Sequence, residues 1–216
     1  KKSNNKGLVK EFRLKEHYLQ FLKTYVSDFS GIKMAIDCSN GVASLFVHDL
    51  FGRGIIYLND SIDGTFPAHE PNPLLPENQE QIKETVKQEN CDIGLIFDGD
   101  ADRVMFIDEK GQFISPDLII AVLGHYFFEE RKETGKVVQD IRTSKAVADY
   151  LRQFNVDVVT WKVGRAFGAT KLKDVDGIYG GELAGHYYFK DFYYSDSGML
   201  AALLVLRVLL KFRDKG

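Results

Sequence analysis

Residues 94–107 read GLIFDGDADRVMFI, and the interpretation of the whole chain starts from this stretch. Two apolar runs, Asp92–Phe97 and Val104–Asp108, flank a short polar loop. Three aspartates alternate in that loop: Asp98, Asp100 and Asp102. Short apolar runs bounded by turn residues are typical of buried strands. Neighbouring carboxylates repel one another unless a positive charge lies among them, so a hard divalent cation is their natural partner.

Three interpretations of this acidic loop, residues 98–103, are open. The first is a solvated acidic turn, which the apolar flanks disfavour. The second is an EF-hand calcium loop, since the three aspartates and Glu109 stand at loop positions one, three, five and twelve. Position six, however, is Arg103 instead of glycine, and the flanks predict strands instead of helices. The third, which we favour, is a magnesium site for phosphoryl transfer, with Arg103 suited to a phosphate oxygen.

Strands and helices alternate on both sides of the acidic loop, which predicts parallel-type sheets covered by helices. The predicted strands are Lys33–Asp37, Ile55–Leu58, Asp92–Phe97, Val104–Asp108, Lys136–Asp140, Val156–Trp161, Gly177–Tyr179 and His186–Lys190. The predicted helices are Val9–Ser27, Val42–Phe51, Pro76–Glu89, Asp117–Glu130, Ser144–Phe154, Phe167–Lys173 and Ser197–Phe212, the last with Ser195 or Asp196 as its N-cap. Two consecutive α/β domains, 1–113 and 114–216, fit 216 residues better than one sheet.

The composition argues against a nucleic-acid-binding, a disulfide-rich and a membrane-spanning protein. The chain has 28 Lys and Arg against 31 Asp and Glu, which argues against a nucleic-acid-binding surface. Cys38 and Cys91 are too few for a disulfide framework, so we expect a reducing, cytoplasmic location. The longest apolar run, Met199–Leu206, is far shorter than the ~18 residues of a membrane span. The chain opens on Lys1 and a polar segment without a signal peptide, so we expect an excerpt of a longer polypeptide.

Two further loops carry residues suited to binding. Residues 180–186 read GGELAGH; this is either a tight glycine-rich hairpin or a loop whose Glu182 accepts hydrogen bonds from adjacent sugar hydroxyls. Residues 162–167 read KVGRAF, and Gly164 permits a bend that presents Arg165. A solvated surface arginine is the alternative for Arg165, and likewise for Arg142.

The segment FDGDADR, residues 97–103, resembles the metal-binding loop of the alpha-D-phosphohexomutases, the phosphoglucomutase and phosphomannomutase superfamily. The resemblance implies that the three aspartates hold Mg²⁺ and that Arg103 contacts the phosphoryl region. GGELAGH resembles the sugar-recognition loop of the same family, with Glu182 and His186 matched and Ala184 in place of the usual serine. Ala184 therefore receives no binding role.

Other segments extend the resemblance from about Gly31 to Leu210, in the family's order. Arg142 and Arg165 match basic positions near the substrate, and Arg165 suits phosphate or hydroxyl contact because it does not readily give up a proton. The run from His186 to Met199 resembles the phosphomannomutase branch, which favours mannose phosphate over glucose phosphate as substrate. We expect its aromatic side chains to pack in the core.

The resemblance implies two consecutive mixed α/β/α sandwich domains, the second and third of four. The whole enzyme would interconvert hexose 1-phosphate and hexose 6-phosphate through a bisphosphorylated sugar. Its first domain would supply a phosphoserine and its fourth a phosphate-binding loop, and we recognise neither in this sequence. A magnesium-dependent sugar-phosphate phosphatase and a non-catalytic calcium- or sugar-phosphate-binding module are the alternatives.

This resemblance predicts that the 216-residue chain alone shows no mutase turnover, because the phosphoryl donor is absent from the sequence. Phosphorus NMR of mannose 1-phosphate incubated with the chain and Mg²⁺ checks the prediction. Formation of mannose 6-phosphate would contradict it. Release of inorganic phosphate without isomerisation would favour the phosphatase.

Overall fold

The structure is a computed structural model that describes residues 7–213. It contains two mixed five-stranded sheets, one after the other along the chain. Residues 1–6 and 214–216 lie outside the described residues. The start of the first predicted domain, the end of the second and most of the polar opening segment therefore also lie outside them. Two α/β/α units with mixed sheets, the fold expected from the sequence, are confirmed.

The first sheet has the strand order β2-β1-β3-β4-β5. Its strands are β1 (Met34–Asp37), β2 (Ile56–Leu58), β3 (Ile93–Phe97), β4 (Val104–Asp108) and β5 (Phe113–Ile114). Strands β2, β1 and β3 are parallel, whereas β4 and β5 are antiparallel to their neighbours. The expectation of parallel-type sheets was therefore only partly right. The acidic loop is far shorter than the dozen or more residues of a parallel crossover, so β3 and β4 must form a hairpin.

The second sheet repeats this arrangement with the order β10-β9-β8-β6-β7. Its strands are β6 (Lys136–Asp140), β7 (Asp157–Trp161), β8 (Tyr179–Gly181), β9 (Tyr187–Phe189) and β10 (Ser195–Asp196). Strands β7, β6 and β8 are parallel, and β9 and β10 are antiparallel. All three residues of β9 are buried, which confirms the expected core packing for these aromatic side chains. The expectation was wrong for Tyr193, which lies in the turn after β9 and is 89% exposed.

Within residues 7–213, seven α-helices cover the sheets. They are α1 (Leu14–Lys23), α2 (Val47–Phe51), α3 (Glu80–Glu89), α4 (Pro116–Gly124), α5 (Lys145–Leu151), α6 (Arg165–Asp174) and α7 (Gly198–Arg213). Short 3₁₀ turns lie at Val42–Leu45, Pro76–Gln79, Arg152–Phe154 and Lys190–Phe192. The predicted helix Asp117–Glu130 is α4 followed by a π-helical segment, His125–Glu130. Residues 9–13, which the prediction Val9–Ser27 assigned to the first helix, are exposed and lie before α1.

Helix α7 joins the two units. It contacts β4 of the first sheet and α4 of the second unit, and its apolar run Met199–Leu206 is buried. Ser197 caps the helix, because its Oγ accepts a hydrogen bond from Leu200 N at 3.1 Å. The predicted caps, Ser195 and Asp196, were wrong because both residues belong to β10. Among residues 7–213, the structure has no helix long and apolar enough to cross a membrane.

The N-terminus of α7 packs directly on the backbone of the acidic loop. Gly198 N donates to Ala101 O at 3.2 Å, and a Cβ at Gly198 would lie 2.8 Å from the carbonyl of Arg103. Since these are backbone atoms, they cannot move aside as a flexible side chain would. A side chain at position 198 would therefore separate the helix from the loop.

We predict that Gly198→Ala lowers the free energy of unfolding by about 1–2 kcal/mol. Alanine is the better helix former by about 1 kcal/mol, but the close backbone contact outweighs this gain. Urea unfolding measures the difference, and Gly64→Ala serves as the control because a Cβ there meets no atom within 4 Å. A stabilised Gly198→Ala variant would contradict the prediction.

Candidate active site

The acidic loop lies between the end of β3 and the start of β4, at the edge of the sheet where the parallel strands end. Asp98 is buried and accepts hydrogen bonds from Arg103 N at 3.1 Å and from Arg103 Nε at 2.8 Å. Asp102 is partly buried and Asp100 is exposed. One carboxylate oxygen from each aspartate lies within 4.8 Å of the other two. The three predicted ligands are therefore close enough to share one ion.

The electrostatics of the loop fit a cation. Burial, followed by the negative charge of Asp98, raises the pKa of Asp102 to about 6. This carboxylate is therefore held in surroundings that disfavour its charged form. The donor atoms are all carboxylate oxygens, which Mg²⁺ and Ca²⁺ prefer. The residues present fit a hard divalent ion, with Asp98, Asp100 and Asp102 as its protein ligands.

Residues of the second unit face this loop from the start of α6, the turn between β8 and β9, and β10. Arg103 and His186 pair as an antiparallel β-bridge, which places the predicted sugar loop beside the acidic loop. Asp102 lies 3.5 Å from Arg165 Nε and 3.7 Å from His186 Nδ1. The acidic loop, Arg165 and His186 were predicted separately, and the fold brings them together.

Asp196 organises the second half of the site. Its side chain is inaccessible to solvent, and both of its oxygens lie 2.8 Å from Arg165 Nε. Oδ2 also lies 2.8 Å from His186 Nδ1. Burial opposes ionisation, but the hydrogen bonds from His186 and Arg165 lower the pKa of Asp196 below its ordinary value. One buried carboxylate therefore fixes a guanidinium and an imidazole beside the acidic loop.

Sequence reasoning considered Asp196 only as a helix cap and missed this role. Its partners Arg165 and His186 are distant in sequence and meet it only in the folded sheet. The available signal was the position of a lone aspartate between two serines, directly before an apolar helix. That pattern is equally typical of a cap, so it does not separate the two roles.

Glu182 lies at the floor of the site. It is 2% exposed, its Oε1 accepts a hydrogen bond from the Tyr188 hydroxyl, and its Oε2 accepts one from Gly164 N at 3.2 Å. Arg142 Nη2 lies 3.6 Å from Glu182 and 2.9 Å from Asp140. These contacts hold the predicted sugar-binding carboxylate in place.

The two outer arginines are more accessible than the carboxylates they contact. The side chain of Arg142 is 41% exposed, and that of Arg165 is 58% exposed. Each uses part of its guanidinium on a buried carboxylate and extends the rest towards solvent. Such a group can hold a phosphate by hydrogen bonds and charge, because a guanidinium offers five N–H donors.

A proline-rich loop after β2 packs against the acidic loop. A Cβ at Gly99 would lie 3.3 Å from the Pro71 side chain, so the backbone of the acidic loop packs closely on the proline ring. His69 holds this loop to the end of β1, with its Nε2 3.1 Å from Asp37 Oδ2. These contacts, together with the one between His69 Nδ1 and Glu70 O at 2.9 Å, give His69 a structural role.

Comparison with known proteins supplies the family. The model of the phosphoglucomutase/phosphomannomutase alpha/beta/alpha domain II matches residues 16–111, and that of domain III matches residues 115–215. The chain belongs to the phosphoglucomutase/phosphomannomutase family. It is 34% identical over 220 residues to a phosphomannomutase of Escherichia coli (strain K12), covering 97% of this chain and 48% of that protein. The chain thus spans about half the length of the curated relatives it matches.

Solved structures of the family share the fold. A phosphoglucomutase/phosphomannomutase family protein from Burkholderia thailandensis superposes with a TM-score of 0.82 at 27% identity, over 94% of this chain and 45% of that one. An N-acetylphosphoglucosamine mutase from Aspergillus fumigatus, solved with GlcNAc-6P and magnesium, superposes with a TM-score of 0.67 at 17% identity. That match covers 92% of this chain and 51% of the mutase.

We predict that Asp196→Asn lowers the free energy of unfolding by about 1–3 kcal/mol, because a buried partner of two cationic groups loses its charge. This expected loss of unfolding free energy is small for a broken buried ion pair, because the Arg165 side chain is half exposed and can turn to solvent. Urea unfolding checks it. Asp176→Asn is the matched control, because Asp176 pairs with Lys190 on the surface and this substitution should cost less stability than Asp196→Asn. Equal losses in both variants would contradict the prediction.

Proposed function

We propose that this chain forms the metal-binding and sugar-binding part of a phosphomannomutase or phosphoglucomutase that interconverts hexose 1-phosphate and hexose 6-phosphate. The observation that carries the proposal is the meeting of the acidic loop with Arg165 and His186 across the two units. Glu182 lies beside this contact, since its backbone N donates to His186 O at 2.9 Å. A cation site beside exposed arginines suits a sugar phosphate, which combines hydroxyl groups with a doubly negative phosphate.

Each residue receives a role from its contacts. Asp98, Asp100 and Asp102 would hold Mg²⁺, and magnesium bound there would neutralise charge on a transferring phosphoryl group. Magnesium is also the ion in the Aspergillus mutase structure. Arg103 holds Asp98 in position and lies next to the phosphoryl site.

The remaining residues bind the sugar phosphate. Arg142 and Arg165 bind its phosphate through their exposed guanidinium groups. Glu182 accepts hydrogen bonds from sugar hydroxyls. His186 lies beside Glu182 and forms a hydrogen bond with the same sugar phosphate. The likeness of residues 186–199 to the phosphomannomutase branch favours mannose phosphate. We keep the division into domains 1–113 and 114–216, since the two family models end and begin on either side of this junction.

The alternative that the acidic loop is an EF-hand calcium site requires structural features that this loop lacks. An EF-hand loop needs flanking helices and a bidentate twelfth ligand, whereas the acidic loop joins two strands and Glu109 pairs with Lys110 at the surface. Magnesium therefore fits the hairpin better than calcium does.

We predict that Asp100→Asn weakens Mg²⁺ binding by about tenfold or more, because the most exposed of the three ligand carboxylates loses its charge. Isothermal titration calorimetry of the wild-type chain and the variant measures the change. Glu109→Gln is the matched control, since Glu109 would be a ligand only in a calcium loop. Indistinguishable binding by Asp100→Asn and the wild type would count against the loop, and loss in Glu109→Gln would favour the calcium alternative.

For the substrate, we predict that mannose 6-phosphate binds the Mg²⁺-loaded chain and that Arg165→Ala weakens this binding about tenfold, the worth of a charge-assisted hydrogen bond. Unphosphorylated mannose should bind both proteins equally weakly, because the arginine acts on the phosphate. Titrations followed by NMR provide the affinities. Arg152→Ala is the control, because Arg152 pairs with Asp149 on the surface. An unchanged affinity in Arg165→Ala would overturn the assignment of this residue.

A further inference from the structure

The buried carboxylate of Glu182 lies between two hydrogen-bond donors and a nearby guanidinium. The Tyr188 hydroxyl donates to its Oε1, and Gly164 N donates to its Oε2 at 3.2 Å. Arg142 Nη2 stands 3.6 Å from the same Oε2, beyond the length of a charge-assisted hydrogen bond. Each oxygen of a carboxylate can accept two hydrogen bonds. One lone pair on each oxygen of Glu182 is therefore left for a sugar hydroxyl.

Arg142 is held on its other side by Asp140. This buried carboxylate accepts hydrogen bonds from Arg142 N at 2.6 Å and from Arg142 Nη2 at 2.9 Å. The rest of the guanidinium extends towards solvent, since the Arg142 side chain is 41% exposed. A shift of about 0.7 Å would bring Nη2 within hydrogen-bonding distance of Glu182, and the attraction of opposite charges favours that shift. The separation of the two groups therefore needs an explanation.

Tyr188 is fixed in a position that supplies it. The residue is 1% exposed, and its ring packs with Val138 and Leu172 under α6. A Cβ at Gly168 of α6 would lie 2.8 Å from the ring, so no space is left beside it. Burial and the hydrogen bond to Glu182 raise the pKa of Tyr188 above its ordinary value, so the hydroxyl keeps its hydrogen and donates. Oε1 of Glu182 is thus held by an immobile donor.

Without this hydroxyl, Glu182 would carry a buried oxygen with no donor, which is unfavourable. The guanidinium of Arg142 is the cationic donor beside the carboxylate, and a small rotation of Glu182 towards it would restore the missing hydrogen bond. The two side chains would then form a direct ion pair. Such a pair would occupy both the group that accepts from sugar hydroxyls and one of the groups that binds phosphate.

We propose that Tyr188 is a positioning residue that keeps the sugar-binding carboxylate of Glu182 apart from the phosphate-binding guanidinium of Arg142. The inference rests on the proposed function, which gives these two groups their ligands. With the Tyr188 hydroxyl in place, a hexose phosphate meets two free groups of opposite charge, one for its hydroxyls and one for its phosphate. Without the hydroxyl, the two groups neutralise each other and both parts of the substrate bind less well.

Crystal structures of the wild type and of Tyr188→Phe test the separation directly. In the variant, we expect the distance between Arg142 Nη2 and the Glu182 carboxylate to fall from 3.6 Å to about 2.9 Å. Tyr194→Phe is the matched control, because the Tyr194 hydroxyl also donates to a carboxylate, that of Asp176 on the surface, at 2.6 Å. It should leave the distance unchanged. An unchanged distance in Tyr188→Phe would overturn the proposal.

Affinities for two probes, mannose 6-phosphate and inorganic phosphate, test the consequence. We expect Tyr188→Phe to weaken the binding of mannose 6-phosphate by about tenfold or more and that of inorganic phosphate by about fivefold, the worth of one net hydrogen bond. A residue that only supported Glu182 would leave inorganic phosphate binding unchanged. In an Arg142→Ala background, Tyr188→Phe should no longer alter phosphate binding, because the guanidinium that it releases is absent. Isothermal titration calorimetry gives the affinities.

The outcomes separate this proposal from the proposed function. Equal losses of phosphate affinity with and without Arg142 would overturn the role of Tyr188. A wild-type chain that does not bind mannose 6-phosphate would overturn the proposed function, and the crystallographic distance would still decide whether Tyr188 separates the two groups. If Tyr188→Phe does not fold, Gly168→Ala replaces it. Its Cβ would lie 3.2 Å from the Tyr188 hydroxyl oxygen and displace it, so the same shortening is expected.

Discussion

The site depends on the balance between buried carboxylates and the few cationic groups placed among them. Asp98, Asp196 and Glu182 are each less than 5% exposed, and an isolated buried carboxylate would be strongly unfavourable. Each has a cationic neighbour within 3.6 Å: Arg103, Arg165 and Arg142 respectively. Asp102 differs from these three because burial and the charge of Asp98 raise its pKa to about 6, although Arg165 and His186 lie 3.5 and 3.7 Å away. The uncompensated charge is therefore located where a metal ion can neutralise it.

The same contacts hold the two units in one arrangement. The acidic loop belongs to the first sheet, yet its backbone accepts a hydrogen bond from Gly198 of α7 and pairs with His186 of the second unit. A cation bound to the loop would consequently act on both units. The short approach at Gly198 explains why the two halves of the site can lie within hydrogen-bonding distance instead of facing each other across a cleft.

Much of the fold could be predicted from the local pattern of apolar and turn residues in the sequence. The two strands beside the acidic loop, the alternation of strands and helices and the buried aromatic strand β9 were predicted, because burial periodicity and turn residues are visible within a few positions. The direction of β4 could have been inferred from the shortness of its loop, but was not. The π-helical turn at His125 was not predictable, since its apolar spacing is also that of an α-helix. Asp196 was missed because its function depends on residues that only the sheet brings near it.

The exposure of Asp100 has a consequence for how the site works. Asp98 accepts two hydrogen bonds from Arg103, and Asp102 lies against the second unit, whereas Asp100 is exposed. Under the proposed function, the three carboxylates would hold an ion that neutralises charge on a phosphate. Arg165, which Asp196 holds 3.5 Å from Asp102, would contact the same phosphate.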